Sequence, residues 1–274
     1  MKNDDFGDRM KRYEMDEAGR RMMPLLPIVA RLDGKCFSKY TSKLKRPYDE
    51  RLSGVMRDVT RKLVEETNAV AGYTQSDEIT LAWYSDDSKS QIWFDGRIQK
   101  MCSVLASMCT AYFNSFVRAR IVEKALEVPG SMAFFDCRVW DMPNLTEATN
   151  VFLWREQDAT KNAISMAARS YYSAKDLHAK SGAEMQEMLF QKGVNFNDYP
   201  AFFKRGTFVL RRRVSRPFTV EELELLPPKH EARKNPNLVV ERSDVYEADM
   251  PKFSSVTNRQ DVLFFGAKPV TEKC

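Results

Sequence analysis

Two aspartates stand where short apolar segments end, and carboxylates in such positions can hold metal ions. Asp33 follows one apolar run and precedes a glycine, and Asp77 lies between two β-prone runs. If those strands are neighbours, both carboxylates project from one edge of one sheet. Two Mg²⁺ ions about 3.5–4 Å apart can clamp the attacking and leaving oxygens of a displacement at phosphorus. The pattern predicts Asp33 and Asp77 as catalytic metal ligands, with the carbonyl of Gly34 as a third ligand.

Ordinary turn chemistry is the alternative interpretation of the same residues. Asp-Gly is a common turn dipeptide, and an aspartate at a hairpin tip is usually solvated. Spacing alone therefore leaves the metal site and the solvated turn both open.

A sheet is needed to bring the two aspartates together, and the order of the patterns predicts one. Apolar and β-branched runs predict strands over residues 25–32, 69–75, 79–84, 131–140 and 207–214. Helical periodicity predicts helices over residues 9–20, 50–67 (with Asp49 as N-cap), 97–126, 145–173 and 182–192, and a loop over 35–48. This order predicts an α+β fold with a palm-type antiparallel sheet of the polymerase and cyclase kind, and helices packed on one face.

The chain is expected to form one catalytic unit with an appendage. Residues 1–216 are predicted to be the catalytic palm-like domain. Residues 217–274, which are punctuated by six prolines, are predicted to be a C-terminal extension packed on the same domain.

Composition excludes several classes of protein. The 274 residues carry 43 lysines and arginines against 38 acids, a mild excess of +5, which suits a protein that meets a polyanion on one face. The longest apolar stretch, residues 22–30, has nine residues and two prolines, far fewer than the ~20 that span a bilayer. The charged N-terminus and five cysteines without CxxC spacing favour a cytoplasmic protein without a structural zinc site.

Several motifs, in order along the chain, resemble those of the tRNA-His guanylyltransferase family of 3′-to-5′ polymerases. Residues 31–37 (RLDGKCF) are similar to the family's RLDG-x-x-F signature, and residues 75–78 match its QSDE motif. Further similar segments lie at residues 46–49, 135–138, 153–155, 195–197, 204–207, 249–251 and 256–259. The last two resemble the bacterial and phage-type branch.

The resemblance implies which residues hold the metal ions and nucleotides. Asp33, Gly34 and Asp77 match the positions that bind two Mg²⁺ ions in the family, with ATP and GTP as substrates. The positions implied in nucleotide binding are Lys35, Cys36, Phe37, Ser38, Arg46, Asp49, Ser76, Arg97 and Lys100. For Arg97 and Lys100, a solvated helix face is an equally good interpretation.

A basic segment predicts contact with RNA. Residues 204–216 contain six basic residues and no acid, and alternation along the predicted strand puts Arg211 and Arg213 on one face and Arg212 on the other. Such a patch suits the phosphates of an acceptor stem, although an edge strand kept soluble by charge has the same composition. The predicted tRNA contacts are Asn162, Lys204, Arg205, Arg211 and Arg213.

The reaction that the resemblance implies adds a nucleotide to the 5′ end of tRNA. ATP activates the 5′-monophosphate, the 3′-hydroxyl of GTP attacks and displaces AMP, and pyrophosphate is then removed. The family's HINNLYN segment corresponds to residues 160–166, where only Asn162 clearly matches, and Met185 stands where the family has a lysine. These departures resemble the branch that extends 5′-truncated tRNAs by templated pairing. The resemblance also implies a homo-oligomer, a tetramer.

Two further functions fit some of the same residues. A catalytically idle palm module would bind tRNA or nucleotide without turnover, and has no need of two acids beside bound phosphates. A nucleotidyl cyclase-like enzyme would share the metal site but would need no basic segment. An assay with Mg²⁺, ATP, GTP and tRNA separates the three.

Overall fold

The computed structural model describes residues 5–122, 132–235 and 237–272. Its strands are β1 (Ile28–Gly34), β2 (Ala71–Gln75), β3 (Glu78–Trp83), β4 (Phe135–Asp141), β5 (Thr207–Pro217) and β6 (Val239–Ala248). Its longer helices are α1 (Asp5–Ala18), α3 (Glu50–Thr67), α4 (Ile98–Val122), α5 (Leu145–Arg169) and α6 (Gly182–Gln191). The shorter ones are α2 (Phe37–Tyr40), α7 (Ala201–Arg205), α8 (Val220–Leu225), α9 (Glu231–Lys234) and α10 (Arg259–Phe265).

The six strands form one sheet in the order β4-β1-β3-β2-β5-β6, and every pair of neighbours is antiparallel. In the register of β1 with β3, Asp33 lies opposite Glu78. The predicted α+β class and antiparallel sheet are confirmed, and the strands that carry or adjoin the two aspartates are neighbours at the centre of the sheet.

Apolar residues alternate between the two faces of the sheet because successive side chains of a strand point in opposite directions. Leu32 and Leu81 pack against α3 and α4 on one face. Val29 and Tyr73 pack against α5 and α10 on the other. The prediction that helices cover one face is therefore wrong, since each face of the sheet has its own apolar stripe and its own helices.

Local signals located most elements and missed one strand. The hairpin of β2 and β3 and the N-cap of α3 by Asp49, whose side chain accepts a hydrogen bond from the N–H of Arg51, are confirmed. The predicted loop over residues 35–48 contains α2. Strand β6, which was not predicted, lies in the proline-rich segment and pairs with residues 208–217 of β5. The ends of the predictions at residues 123–126 and 131 fall outside the described residues.

A third apolar cluster closes the end of the molecule beyond the β2–β3 turn. It joins the last turns of α5 to α6 and α7, with Leu189 and Phe203 buried. Tyr48 packs on this cluster, and its ring centroid lies 4.9 Å from that of Phe203. The segment before α3 is thereby held beside α7. No helix among the described residues has the length and apolar character needed to cross a membrane.

Candidate active site

The two predicted aspartates lie near each other at the end of the sheet where β1 ends and β3 begins. Strand β1 ends at Gly34, one residue after Asp33, and a two-residue turn of Ser76 and Asp77 joins β2 to β3. Ser76 has a positive φ of 56°, which is uncommon for a residue other than glycine. Its hydroxyl lies 3.0 Å from Asp77 Oδ1. The backbone of the turn and the Ser76 hydroxyl therefore both help to orient the Asp77 carboxylate.

The environment of Asp77 disfavours an isolated negative charge. Burial raises the pKa of its carboxyl group, and the nearby charge of Asp33 raises it further, whereas the hydrogen bond from Ser76 lowers it. A carboxylate that is buried beside a second carboxylate is stabilised by a bound cation. The pair is therefore suited to divalent metal binding.

Gly34 leaves the space in which the two acids approach each other. A Cβ atom at this position would lie 2.9 Å from Asp77 Oδ2 and would also collide with the ring of Phe37. In residues 5–122, 132–235 and 237–272, no group of three or more His, Cys, Asp or Glu side chains could hold a metal ion. A cation here would have two carboxylates, with water, a carbonyl and substrate oxygens as its other ligands. That donor set fits Mg²⁺, which uses few protein carboxylates and keeps several waters.

A cleft of about 690 Å³ opens beside Asp77. Its volume lies within the range of small-molecule sites. Five residues that the sequence predicted for nucleotide binding line it: Cys36, Phe37, Ser38, Arg46 and Ser76. Met166, Arg169 and Ser170, at the end of α5, also line the cleft and were not predicted. The sequence carries no signal for these three residues. Their place beside Ser76 and Asp77 in the cleft depends on how α5 packs on the sheet.

A smaller, more apolar recess adjoins this cleft and shares Arg46, Ser76 and Met166 with it. Its apolar residues include Leu44, Leu52, Phe202 and Phe203. A recess of this kind beside a polar cleft can hold a flat ring while the polar cleft holds a charged group.

Asp49 borders that recess, but its carboxylate has protein partners. It accepts hydrogen bonds from Arg51 Nε at 2.9 Å and Nη2 at 2.6 Å, and from the N–H of Lys45 at 3.4 Å. The hydrogen bond from the Arg51 side chain is the main reason that the pKa of Asp49 is lowered. Asp49 is only 6 % exposed, and its carboxylate caps α3. Because these oxygens are already occupied by protein donors, the predicted contact of Asp49 with nucleotide would be indirect.

Three other residues predicted for nucleotide binding do not line the cleft of this chain. Lys35 is exposed after β1, and its N–H donates to the carbonyl of Phe134. The backbone of Arg97 forms an isolated antiparallel β-bridge with that of Arg21, in the segment between α1 and β1. The Nζ atom of Lys100 lies 4.7 Å from the centre of the Phe94 ring. Helix α4 begins at the end of the sheet where β1 starts, so Arg97 and Lys100 are at the end opposite Asp33.

Two arginines of the basic segment, Arg211 and Arg212, have partners within the protein, on the end of α3 and on β6. Arg211 donates to the carbonyls of Val64, Glu65 and Ala69 at the C-terminus of α3, where cations stabilise unpaired carbonyls. Arg212 lies on the other face, as predicted, and pairs with Asp244 at 2.9 Å. The predicted RNA contact of Arg211 is not supported, because its guanidinium is bound to the protein's own backbone.

The remaining predicted RNA contacts differ in accessibility. The side chain of Arg213 is 84 % exposed, and its nearest acid, Glu241, is 3.9 Å away. Lys204 donates to the carbonyl of Asn197, and Arg205 lies 3.9 Å from Glu156. Asn162 is exposed on α5 and donates to Asp158. These residues lie on three different elements, α5, α7 and β5, and Arg213 is the most open of the basic ones.

Comparison with known proteins identifies the family. The family model described as tRNA-His guanylyltransferase matches residues 7–143. A bacterial tRNA(His) guanylyltransferase-like protein solved with ATP is 36 % identical, with a TM-score of 0.69, over 75 % of this chain and 88 % of that one. Such a protein solved with GTP is 30 % identical, with a TM-score of 0.68, over 92 % of this chain and 94 % of that one.

A curated relative supports the same assignment. The tRNA(His) guanylyltransferase of Schizosaccharomyces pombe is 29 % identical over 75 % of this chain and 80 % of its own length. The antiparallel, palm-type sheet that the sequence predicted is also the fold of the matching structures. The chain therefore belongs to the tRNA(His) guanylyltransferase family and is a nucleotidyltransferase.

Proposed function

We propose that this protein is a Mg²⁺-dependent nucleotidyltransferase that adds nucleotides to the 5′ end of tRNA in the 3′-to-5′ direction. GTP would supply the nucleotide, and ATP would activate the 5′-phosphate. The observation that carries the proposal is that Asp33, on β1, and Asp77, in the turn before the neighbouring strand β3, lie near each other beside a cleft with two arginines. The relatives solved with ATP and with GTP support both nucleotides as substrates.

The residues of the cleft have separate tasks in this reaction. Asp33, Asp77 and the carbonyl of Gly34 would hold Mg²⁺, which supplies an activated hydroxyl and neutralises phosphate charge. Arg46 and Arg169, which both line the cleft, would bind triphosphate oxygens through charge-assisted hydrogen bonds. The apolar recess with Leu52 and Phe203 would accept the base. Because all steps are displacements at phosphorus, positioning and neutralisation suffice without a nucleophilic side chain.

An extension assay tests the reaction. The protein is incubated with Mg²⁺, ATP, labelled GTP and 5′-monophosphorylated tRNA, either full-length or lacking its first nucleotide. We expect a longer 5′ end that depends on both ATP and Mg²⁺. Tight tRNA binding without extension would indicate the idle module, and a cyclic product formed without RNA would indicate the cyclase-like enzyme.

The same assay compares repair with addition to intact tRNA-His. Residues 160–166 and Met185 depart from the family's eukaryotic pattern, which favours templated extension of truncated tRNA. We expect the truncated tRNA to be extended more efficiently than the intact one. Equal or better use of intact tRNA-His would contradict this preference.

Arg213 is proposed as a phosphate contact for the RNA because it is the most open residue of the basic segment. Replacing it by alanine should reduce the slope of log K against log salt by about 1. Fluorescence anisotropy of labelled tRNA at several salt concentrations measures this slope. Arg118→Ala is the matched control, because Arg118 is an exposed arginine on α4, the helix that packs on β4 at the other edge of the sheet. An unchanged slope in Arg213→Ala would show that Arg213 does not contact the RNA phosphates.

Two finer features stay predictions. The family resemblance favours a homotetramer, and tRNA processing favours a cytoplasmic location.

A further inference from the structure

Arg155 is a cation in an unusual place. It lies in the middle of α5 and is 4 % exposed, although arginine is almost never fully buried unless it is paired. Its Nη1 atom lies 3.1 Å from Asp158 Oδ2, and its guanidinium covers the ring of Trp154 at 4.7 Å. Its Nη2 atom pairs with Oε2 of Glu78. The side chain therefore extends from the helix layer to the sheet.

Glu78 is held from both sides by this contact and a second one. Its Oε1 atom accepts from Nη2 of Arg31, on β1, so each carboxylate oxygen has its own guanidinium. The carbonyl of Glu78 accepts a hydrogen bond of 2.9 Å from the hydroxyl of Thr74, across the hairpin. Both ends of the residue are thus fixed, and its carboxylate faces α5 and β1.

The position of Glu78 gives these contacts their significance. Glu78 is the first residue of β3, directly follows Asp77, and lies opposite Asp33 in the register of β1 and β3. A shift of Glu78 would move the end of the turn that carries Asp77. With both of its oxygens paired to arginines, Glu78 fixes the residue at which the Ser76–Asp77 turn enters the sheet.

We infer that Arg155 is a positioning residue of the metal site, which acts through Glu78 to hold Asp77 in place. This inference rests on the metal-dependent site of the proposed function. It distinguishes Arg155 from a residue that only balances buried charge, because it predicts weaker metal binding even when that charge is balanced in another way.

The test measures metal binding directly. Mn²⁺ serves as the probe, and the loss of its free electron paramagnetic resonance signal gives the Kd without nucleotide or RNA. Outer residues that orient metal ligands typically change metal affinity by about 10–100-fold when replaced. We expect a loss in this range for Arg155→Lys and Arg155→Met, since lysine cannot contact Glu78 and Asp158 as a fork.

A double variant separates positioning from charge balance. Arg155→Met with Glu78→Gln removes both charges, so its thermal unfolding midpoint should recover toward wild type if Arg155→Met alone is destabilised. We expect Mn²⁺ binding to remain weakened in this variant. Recovery of both the midpoint and Mn²⁺ affinity would overturn the inference, as would wild-type Mn²⁺ affinity in Arg155→Lys.

The control is Arg120→Met, which removes a half-buried arginine that pairs with Asp58 at 2.6 Å between α4 and α3. It should lose some thermal stability and keep wild-type Mn²⁺ affinity. Failure of the reaction is separable from failure of this inference. If wild-type protein extends tRNA but Arg155 variants bind Mn²⁺ normally, only the inference fails. If it extends no tRNA but its Mn²⁺ affinity depends on Arg155, only the proposed reaction fails.

Discussion

Replacing Asp33 or Asp77 by asparagine is expected to abolish nucleotide transfer while the fold persists. Asparagine keeps the shape of the side chain but removes the charge that would hold Mg²⁺. Metal ions contribute several kcal/mol to displacements at phosphorus, so the rate should fall by about 10³-fold or more. Incorporation of labelled GTP into tRNA that lacks its first nucleotide measures the loss.

The free energy of unfolding should change little in these two variants, and in Asp77→Asn it should not fall. The pKa of Asp77 is raised in the folded chain, chiefly by burial. Folding therefore disfavours its ionised form, and the cost is present at pH values above its unfolded pKa. Asp77→Asn removes that cost, so its unfolding midpoint at neutral pH should equal or exceed that of wild type.

The matched control for both aspartate variants is Asp58→Asn. Asp58 is a carboxylate on α3 that pairs with Arg120, and its replacement should leave the transfer rate within a few-fold of wild type. Near-normal transfer by Asp33→Asn or Asp77→Asn would contradict the assignment of these acids to the metal site.

Gly34→Ala is expected to reduce the transfer rate by about 10²-fold, because small displacements of a catalytic group have effects of this size. The new methyl group would lie 2.9 Å from Asp77 Oδ2 and against the Phe37 ring, so the carboxylate or the ring must move. The overpacking should also lower the free energy of unfolding by about 1–3 kcal/mol. Steady-state transfer and urea unfolding measure the two effects.

Gly182→Ala is the control for a glycine replacement. Gly182 is the first residue of α6, and its added Cβ would meet only Ile164 Cδ1, at 3.8 Å. Transfer should be unchanged and stability equal or slightly higher, since alanine favours helices more than glycine does. A wild-type rate in Gly34→Ala would show that the two acids tolerate a wider separation than the structure has.

The parts of the site that could be predicted from the sequence depend on short-range signals. The β2–β3 hairpin follows from two β-prone runs with a few polar residues between them, and it places Asp77 at the sheet edge. Asp49 as the cap of α3 follows from its position before an amphipathic run. These features are decided within about ten residues, and propensity and turn chemistry describe that range well.

The features that were missed depend on contacts between distant segments. Strand β6 is hidden in a proline-rich segment, and it supplies Asp244 opposite Arg212. The role of Arg211 depends on the C-terminus of α3 lying next to β5. Periodicity correctly found α4, but it carries no information about which end of the sheet Arg97 would approach.

One acid of the site lies on β1 and the other in the turn before β3, and these two strands are adjacent in the sheet but not consecutive in the chain. Helix α3 and strand β2 lie between them in sequence, so the segment around β1 alone carries only one acid. Pairing β1 with β3 requires the closure of a long loop, which is slower than forming a local hairpin. A growing polypeptide that has emerged only through α3 would therefore be unable to bind the cation, and cation affinity would arise late in its folding.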